Sequence, residues 1–320
     1  MASRVEVGEL RSRFLPDPVS YAVLTPDGQP PNAPLPLCLF LMGGGGSRQN
    51  LIDCQPLFDA WWADRSLPPM VVATPSAALS YYVDDFAAGI EWSAFLASDF
   101  PAHLRANCGG ISLGDSSTAL FGISMGGYGA LKTAFAHAGR FAAVAAMQPM
   151  LEPGFRDAEI GARNRLHHLS GGPANLVGAG RDHTLFEANN PANRARANAH
   201  AIRESGLAIY LEAGDADFVN AHDGTEFLHR ALWDLDISHE YRLTRAADHG
   251  GPTMVPRMRE ALKWVGEALT AGRTTMTPAD QTSRLVLQEM RAQLEPLRAQ
   301  ALVLDPTTAR RFGVLPTRIE

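Results

Sequence analysis

The chain has 320 residues, 46% hydrophobic and 19% charged, an ordinary globular composition with enough apolar material for one large core or two smaller ones. Its formal net charge of −6, with 28 Lys and Arg scattered along the chain, argues against nucleic acid as a partner. Cys38, Cys54 and Cys108 form no C-x-x-C pair and are odd in number, so neither a zinc site nor a disulfide framework is expected.

No apolar run approaches the ~20 residues that span a bilayer, and the start Met1 to Val7 lacks the apolar stretch of a signal peptide. The expectation is a cytoplasmic protein with reduced thiols and no membrane association.

Taken in chain order, the stretch up to Leu24 predicts edge strands ending at the turn Pro26-Asp27-Gly28. A buried strand from Leu35 to Met42 runs into Gly43-Gly44-Gly45-Gly46, followed by a helix from Pro56 to Asp64, a strand from Met70 to Thr74 and a helix from Glu91 to Ala106. A strand from Ala119 to Ile123, a helix from Met125 to His137 and a strand from Phe141 to Met147 come next. Residues 148–190 then lose all period, with Gly, Pro, Asn and paired His, and an excursion of that length predicts a cap over a functional site. Regular alternation resumes with a helix from Asn193 to Glu204, a strand from Leu207 to Glu212, a helix from Ala221 to Leu235, a strand from Ser238 to Leu243 and a helix from Met254 to Leu269. The pattern predicts one α/β domain, residues 1–272, with a mainly parallel sheet flanked by helices. In the remaining tail, 273–320, Val286, Met290, Leu294, Leu297, Ala301 and Leu304 recur at helical spacing, with Pro296 dividing the helix. That apolar stripe predicts a helical extension that either folds back on its own domain or, the favoured alternative, reaches across to a second subunit and helps form a homodimer.

The segment Gly122-Ile123-Ser124-Met125-Gly126 follows an apolar strand and opens a helical stretch, the context of a nucleophile elbow. Such a turn is so tight that side chains two positions either side of the serine would collide with backbone, hence Gly122 and Gly126. Strand, elbow and helix in this order predict the α/β-hydrolase fold with Ser124 as nucleophile. A serine hydroxyl needs a base to take its proton and a carboxylate to orient that base, and in this fold they follow in the order acid, histidine. His249, between the last strand and the last core helix, is the predicted base; the other nine histidines fall in helices, in a strand or in the cap. Asp217 in Gly214-Asp215-Ala216-Asp217-Phe218 is the stronger candidate acid, with Asp215 the alternative or a turn-stabilising group. Asp248 adjoins the histidine and is expected to point away from the site.

Acyl transfer places negative charge on a carbonyl oxygen, and backbone N–H groups must receive it. Gly44 and Met125 are the predicted oxyanion donors, while Gly43, Gly45 and Gln148 are expected to border bound substrate. Tyr81, Tyr82, Trp92, Trp61 and Trp62 are candidates for pocket lining, although aromatics at such positions more often belong to the core.

The residues Leu41 to Gly46, Tyr81-Tyr82-Val83-Asp84, Glu91 to Leu96, Gly122 to Ala130, Gly214 to Phe218 and Asp248-His249 give the chain a resemblance to the esterase family of α/β-hydrolases. That family includes esterase D (S-formylglutathione hydrolase), feruloyl esterases and the antigen 85 mycolyltransferases, and the resemblance runs from about Val5 to Leu269. It implies a serine esterase acting on a small-molecule ester through an acyl-enzyme, with Ser124, Asp217 and His249 as triad, no metal and no cofactor. It favours Asp217 over Asp215, because the family acid occupies the Gly-x-x-Asp position. An acyltransferase or thioesterase would use the same residues, and a non-catalytic binding protein on the same fold is the alternative from another class. Met42 departs from the histidine that many relatives carry before the oxyanion glycine, and neither the cap nor the tail matches the family pattern.

Overall fold

The first strands, β1 (Ser3–Leu10) and β2 (Val19–Pro26), form an antiparallel hairpin-like pair, and β3 (Leu37–Leu41) and β4 (Val71–Pro75) follow. Two short strands, β5 (Asp84–Asp85) and β6 (Ile90–Glu91), pair with each other, after which come β7 (Thr118–Ile123), β8 (Ala143–Met147), β9 (Ala208–Gly214) and β10 (Glu240–Thr244). These observations come from a computed structural model that describes residues 3–29, 34–164 and 183–271, with the helical positions Val286, Glu289, Gln293 and Pro296. The chain divides into two compact units, Met1–Arg273 and Thr274–Glu320. Apart from those four positions, the expected tail of 273–320 lies outside the described residues, as does 165–182 of the expected cap.

Among the described residues, eight strands make one sheet in the order β1-β2-β4-β3-β7-β8-β9-β10, parallel from β4 onwards. Both faces are covered. On β3, Leu37, Leu39 and Leu41 enter one apolar layer and Cys38 and Phe40 the other, so the sequence reads as an unbroken apolar run. On one face lie α1 (Arg48–Asp53), α2 (Gln55–Ala63) and the final helix, which bury Leu51, Phe58 and Leu262. On the other lie α3 (Trp92–Ala94), α4 (Phe100–Asn107), α5 (Met125–Ala136), α6 (His183–Asn189), α7 (Pro191–Ala197), α8 (Ala199–Ser205) and α9 (Ala221–Asp234). The final helix is α10 (Met254–Ala271). Among the described residues no helix is long and apolar enough to cross a membrane.

The structure corrects four sequence expectations. β2 is not an edge strand: it lies between β1 and β4, with Ala22, Val23 and Leu24 fully buried. β10, expected to be buried, is the opposite edge, and its Arg242 and Leu243 are exposed. The helix expected from Glu91 to Ala106 is broken by a π turn at Phe95–Asp99. Pro101 has no N–H to give the Ala97 carbonyl four residues back, and Arg140 Nε donates to that carbonyl instead at 3.1 Å. The helix expected from Asn193 to Glu204 divides at Asn198, which leaves helical geometry with φ −111° and ψ 17°.

A buried polar cluster ties the α5 face together. Lys132 Nζ on α5 sits 2.8 Å from Asp84 Oδ2 and donates to Ser93 Oγ at 2.9 Å, while Asp84 also accepts from the Ser93 amide and hydroxyl. Asn189 closes the cluster, accepting from the Asp84 N–H at 2.7 Å and donating to the Asp84 carbonyl at 2.9 Å. Burial pulls the Lys132 ammonium down to about 8 despite the opposing effect of Asp84. Burial alone would push the Asp84 carboxyl up, but Lys132 and Ser93 hold it below the ordinary carboxylate range.

Lys132→Met leaves the buried Asp84 carboxylate with only the more distant, partly exposed Arg194 at 3.9 Å as countercharge and is expected to cost about 3 kcal/mol, read as a lower urea midpoint, with the Asp84→Asn/Lys132→Met double variant regaining part of it. Gly126 lets α5 cross β3 at close range, where an added Cβ would lie 1.9 Å from the Leu41 carbonyl oxygen. Gly126→Ala should therefore lose about 3 kcal/mol or more, and a near-native thermal midpoint would contradict the close approach.

Candidate active site

Ser124 stands between β7 and α5 with φ 56° and ψ −119°, a conformation that costs a non-glycine residue energy and persists only where the surroundings enforce it. They do so through hydrogen bonds. The Ser124 N–H donates to the Met147 carbonyl at 3.0 Å, and its own carbonyl accepts from Tyr128 and Met150 at 3.1 and 3.0 Å. Gly122 is required because a Cβ there would fall 2.1 Å from the Gly126 carbonyl oxygen. The turn lifts the Ser124 side chain off the sheet's carboxyl edge, at the positive end of α5.

The three residues expected to act together are brought together. His249 Nε2 lies 2.9 Å from Ser124 Oγ, and His249 Nδ1 lies 2.7 Å from Asp217 Oδ2. A carboxylate facing Nδ1 places the ring proton there and leaves the Nε2 lone pair toward the serine hydroxyl. The Asp217 carboxylate is fully buried and its second oxygen accepts from the Val219 N–H at 2.9 Å. Asp215 does the turn work: its Oδ1 accepts from the Ala246 N–H at 2.6 Å.

The acid loop and the histidine loop are stitched to each other. A Cβ on Gly214 would sit 2.0 Å from the Ala247 carbonyl oxygen, so glycine alone permits their approach. Asp248 points away from Ser124 and its Oδ1 accepts from the amides of Phe218 and His249 at 2.9 and 2.7 Å. Those two N–H groups hold the Asp248 carboxyl below its ordinary range.

Gly43 adjoins the serine, with its Cβ direction 3.5 Å from Ser124 Cβ. In the glycine loop, the N–H of Gly45 donates to the Ala78 carbonyl at 3.0 Å and that of Gly46 to Gly43 at 2.9 Å. Gly45, expected to border substrate, thus spends its N–H on closing the loop, helped by a left-handed φ of 76°. Among the described residues no such acceptor engages the N–H of Gly44 or Met125.

Gln148 does not face substrate as expected. Its side chain is fully buried: Nε2 donates to the His249 carbonyl and Oε1 accepts from Arg257 Nη2 at 2.9 Å. The aromatic candidates are core residues. Tyr82 is fully buried with its hydroxyl donating to the Met42 carbonyl, Tyr81 and Trp92 are buried, and Trp61 and Trp62 pack on Phe58 at α2. Sequence reasoning missed two exposed apolar side chains, Leu79 beside Gly44 and Phe218, whose ring meets the His249 ring edge-on at 5.8 Å. It also missed Glu212 and Arg257, whose one signal is a charge at a position where strand and helix periodicity call for an apolar residue.

Solved structures share this architecture. An S-formylglutathione hydrolase from Agrobacterium tumefaciens is 18% identical over 84% of this chain and 96% of that chain, with a TM-score of 0.63. A fluorophosphonate-binding serine hydrolase from Staphylococcus aureus is 16% identical over 83% and 99%, with a TM-score of 0.66. A ferulic acid esterase from Anaeromyces mucronatus is 17% identical over 84% and 92%, with a TM-score of 0.60. At such identities the likeness concerns the fold, which is that of the α/β-hydrolases. No curated protein matches the chain. The sequence profile of the family described as "Putative esterase" matches residues 12–249, and the chain belongs to that family.

Proposed function

We propose that the chain is a serine esterase that cleaves a small-molecule carboxylic ester through an acyl-enzyme. The observation that carries this reading is the continuous relay Asp217, His249, Ser124, with contacts of 2.7 and 2.9 Å. His249 Nε2 takes the Ser124 proton as Oγ attacks the ester carbonyl, and Asp217 steadies the imidazolium that forms. The N–H groups of Gly44 and Met125 receive the oxyanion. Collapse of the tetrahedral intermediate breaks the ester bond, His249 protonates the departing alcohol, and water, deprotonated by His249, then releases the acid and restores Ser124.

Family membership supports ester hydrolysis in general. Leu79 and Phe218 add apolar surface beside the oxyanion loop and the base, which suits a substrate with an apolar group near its carbonyl. Neighbours named ferulic acid esterase and S-formylglutathione hydrolase make aryl-acyl esters and thioesters the first substrates to try.

The wild type is expected to react with a fluorophosphonate at Ser124, seen as a mass increase on the peptide that contains it. Ser124→Ala should lose both the label and nearly all turnover of an aryl ester. Asp217→Asn should keep the fold but drop kcat by about 10⁴, because the amide favours the wrong imidazole tautomer. Undiminished labelling or turnover of Ser124→Ala would overturn the reading.

A further inference from the structure

The His249 loop, residues 245–253, hangs between β10 and α10. Among the described residues β10 pairs with β9 alone, at the sheet's edge, and an edge strand is a compliant mount. Yet the base must hold Nε2 at bonding distance from Ser124, where a misplacement of about 1 Å costs on the order of 100-fold in rate. Something besides β10 must hold the loop.

We propose that Gln148, Arg257 and Glu212 form a buried positioning device for His249, a role that rests on the reading of His249 as the base. All three are buried, and among the described contacts none of them hydrogen-bonds Ser124. Their contacts run to the backbone behind the base. Gln148 Nε2 donates to the carbonyl of His249, and Arg257 Nη1 donates to the carbonyl of Asp248 at 2.8 Å, so two consecutive peptide units are gripped from the protein interior.

Each member is oriented by the next. A guanidinium can only donate, so Arg257 Nη2, 2.9 Å from Gln148 Oε1, obliges the amide oxygen to face it and turns the amide N–H₂ to His249. Arg257 is itself locked by a two-pronged pair with Glu212, Nε to Oε1 at 2.8 Å and Nη2 to Oε2 at 2.9 Å. Thr244 Oγ1 donates to Glu212 Oε1 at 2.7 Å, and the backbone N–H of Gln148 donates to the Glu212 carbonyl. Gln148 accepts a left-handed φ of 40° to sit in this frame.

The arrangement has a geometric benefit. Glu212 belongs to β9, and Asp217 follows the end of the same strand, so the groups that place the acid and the base are referenced to one rigid element. Burial is almost complete, with Arg257 and Glu212 side chains 6% and 2% exposed. An ion pair so far from water adds little net stability over apolar residues of similar size, and a role in fixing geometry accounts for its place here.

The test separates geometry from stability. Gln148→Ala, Arg257→Met and the Glu212→Leu/Arg257→Met double variant are titrated with a fluorophosphonate, and aryl-ester kinetics are expressed per titrated site. The expected result is a kcat lower by about 10–100-fold with KM changed less than about threefold. The double variant should lose less stability than Arg257→Met alone, because no buried carboxylate is stranded, and the downfield proton resonance of His249 Nδ1 should shift or broaden in all three. Wild-type kcat per titrated site in Gln148→Ala and the double variant would overturn the proposal, as would losses of activity that merely track lost sites. A wild type that takes no label at Ser124 would overturn the serine reading itself, and the positioning role with it.

Discussion

Ser124 can occupy its strained turn only because α5 lies against β3 and β7 at a distance that no side chain on Gly122 or Gly126 would allow. That close approach organises the rest of the site. It presses the start of α5 against the end of β3, so the glycine loop that follows β3 arrives beside the serine, with Gly43 in contact range of its Cβ. It also points the N-terminal amides of α5 at the place where negative charge would gather. Backbone strain is stored at one residue and offset by the packing of two elements around it.

The histidine side of the site obeys a different constraint. Asp217 and His249 reside on loops that follow β9 and the edge strand β10, and loops need cross-links to keep a fixed geometry. The structure supplies them mainly through backbone groups: Asp215 to the Ala246 amide, Asp248 to the amides of Phe218 and His249, and the glycine at 214 against Ala247. The interior adds Gln148 and Arg257 from behind. Buried charge follows the same logic on both faces of the sheet. Lys132 with Asp84 ties the 84–93 segment and Asn189 to the elbow helix, and Arg257 with Glu212 ties the final helix to β9. Each pair is desolvated and joins a helix to a neighbouring segment of the chain.

Much of this was legible in the sequence because the signals are local. Buried parallel strands announce themselves as short apolar runs, as β3, β7 and β8 do. The elbow needs its glycines at fixed offsets from the serine, and loops after particular strands must carry the acid and the base. The misreadings came where a local pattern has two tertiary outcomes. The segment 238–243 carries enough apolar residues for an interior strand, but only the strand order shows that β10 has a neighbour on one side. Gln148 lies one residue past a strand that ends at the site, which predicts an inward amide, yet its left-handed backbone turns the side chain into the core.

The amino-acid sequence by itself determined the alternation of strand and helix, the strained serine turn and the residue types that meet there, since these depend on periodicity, on glycine and on spacing of a few residues. Tertiary structure alone decided which amides of the 43–46 loop take internal acceptors, and that Gln148 and Arg257, more than 100 residues apart, converge on one loop. Hydrogen-bond partners at that separation are chosen by the packing of whole elements. No local pattern encodes them.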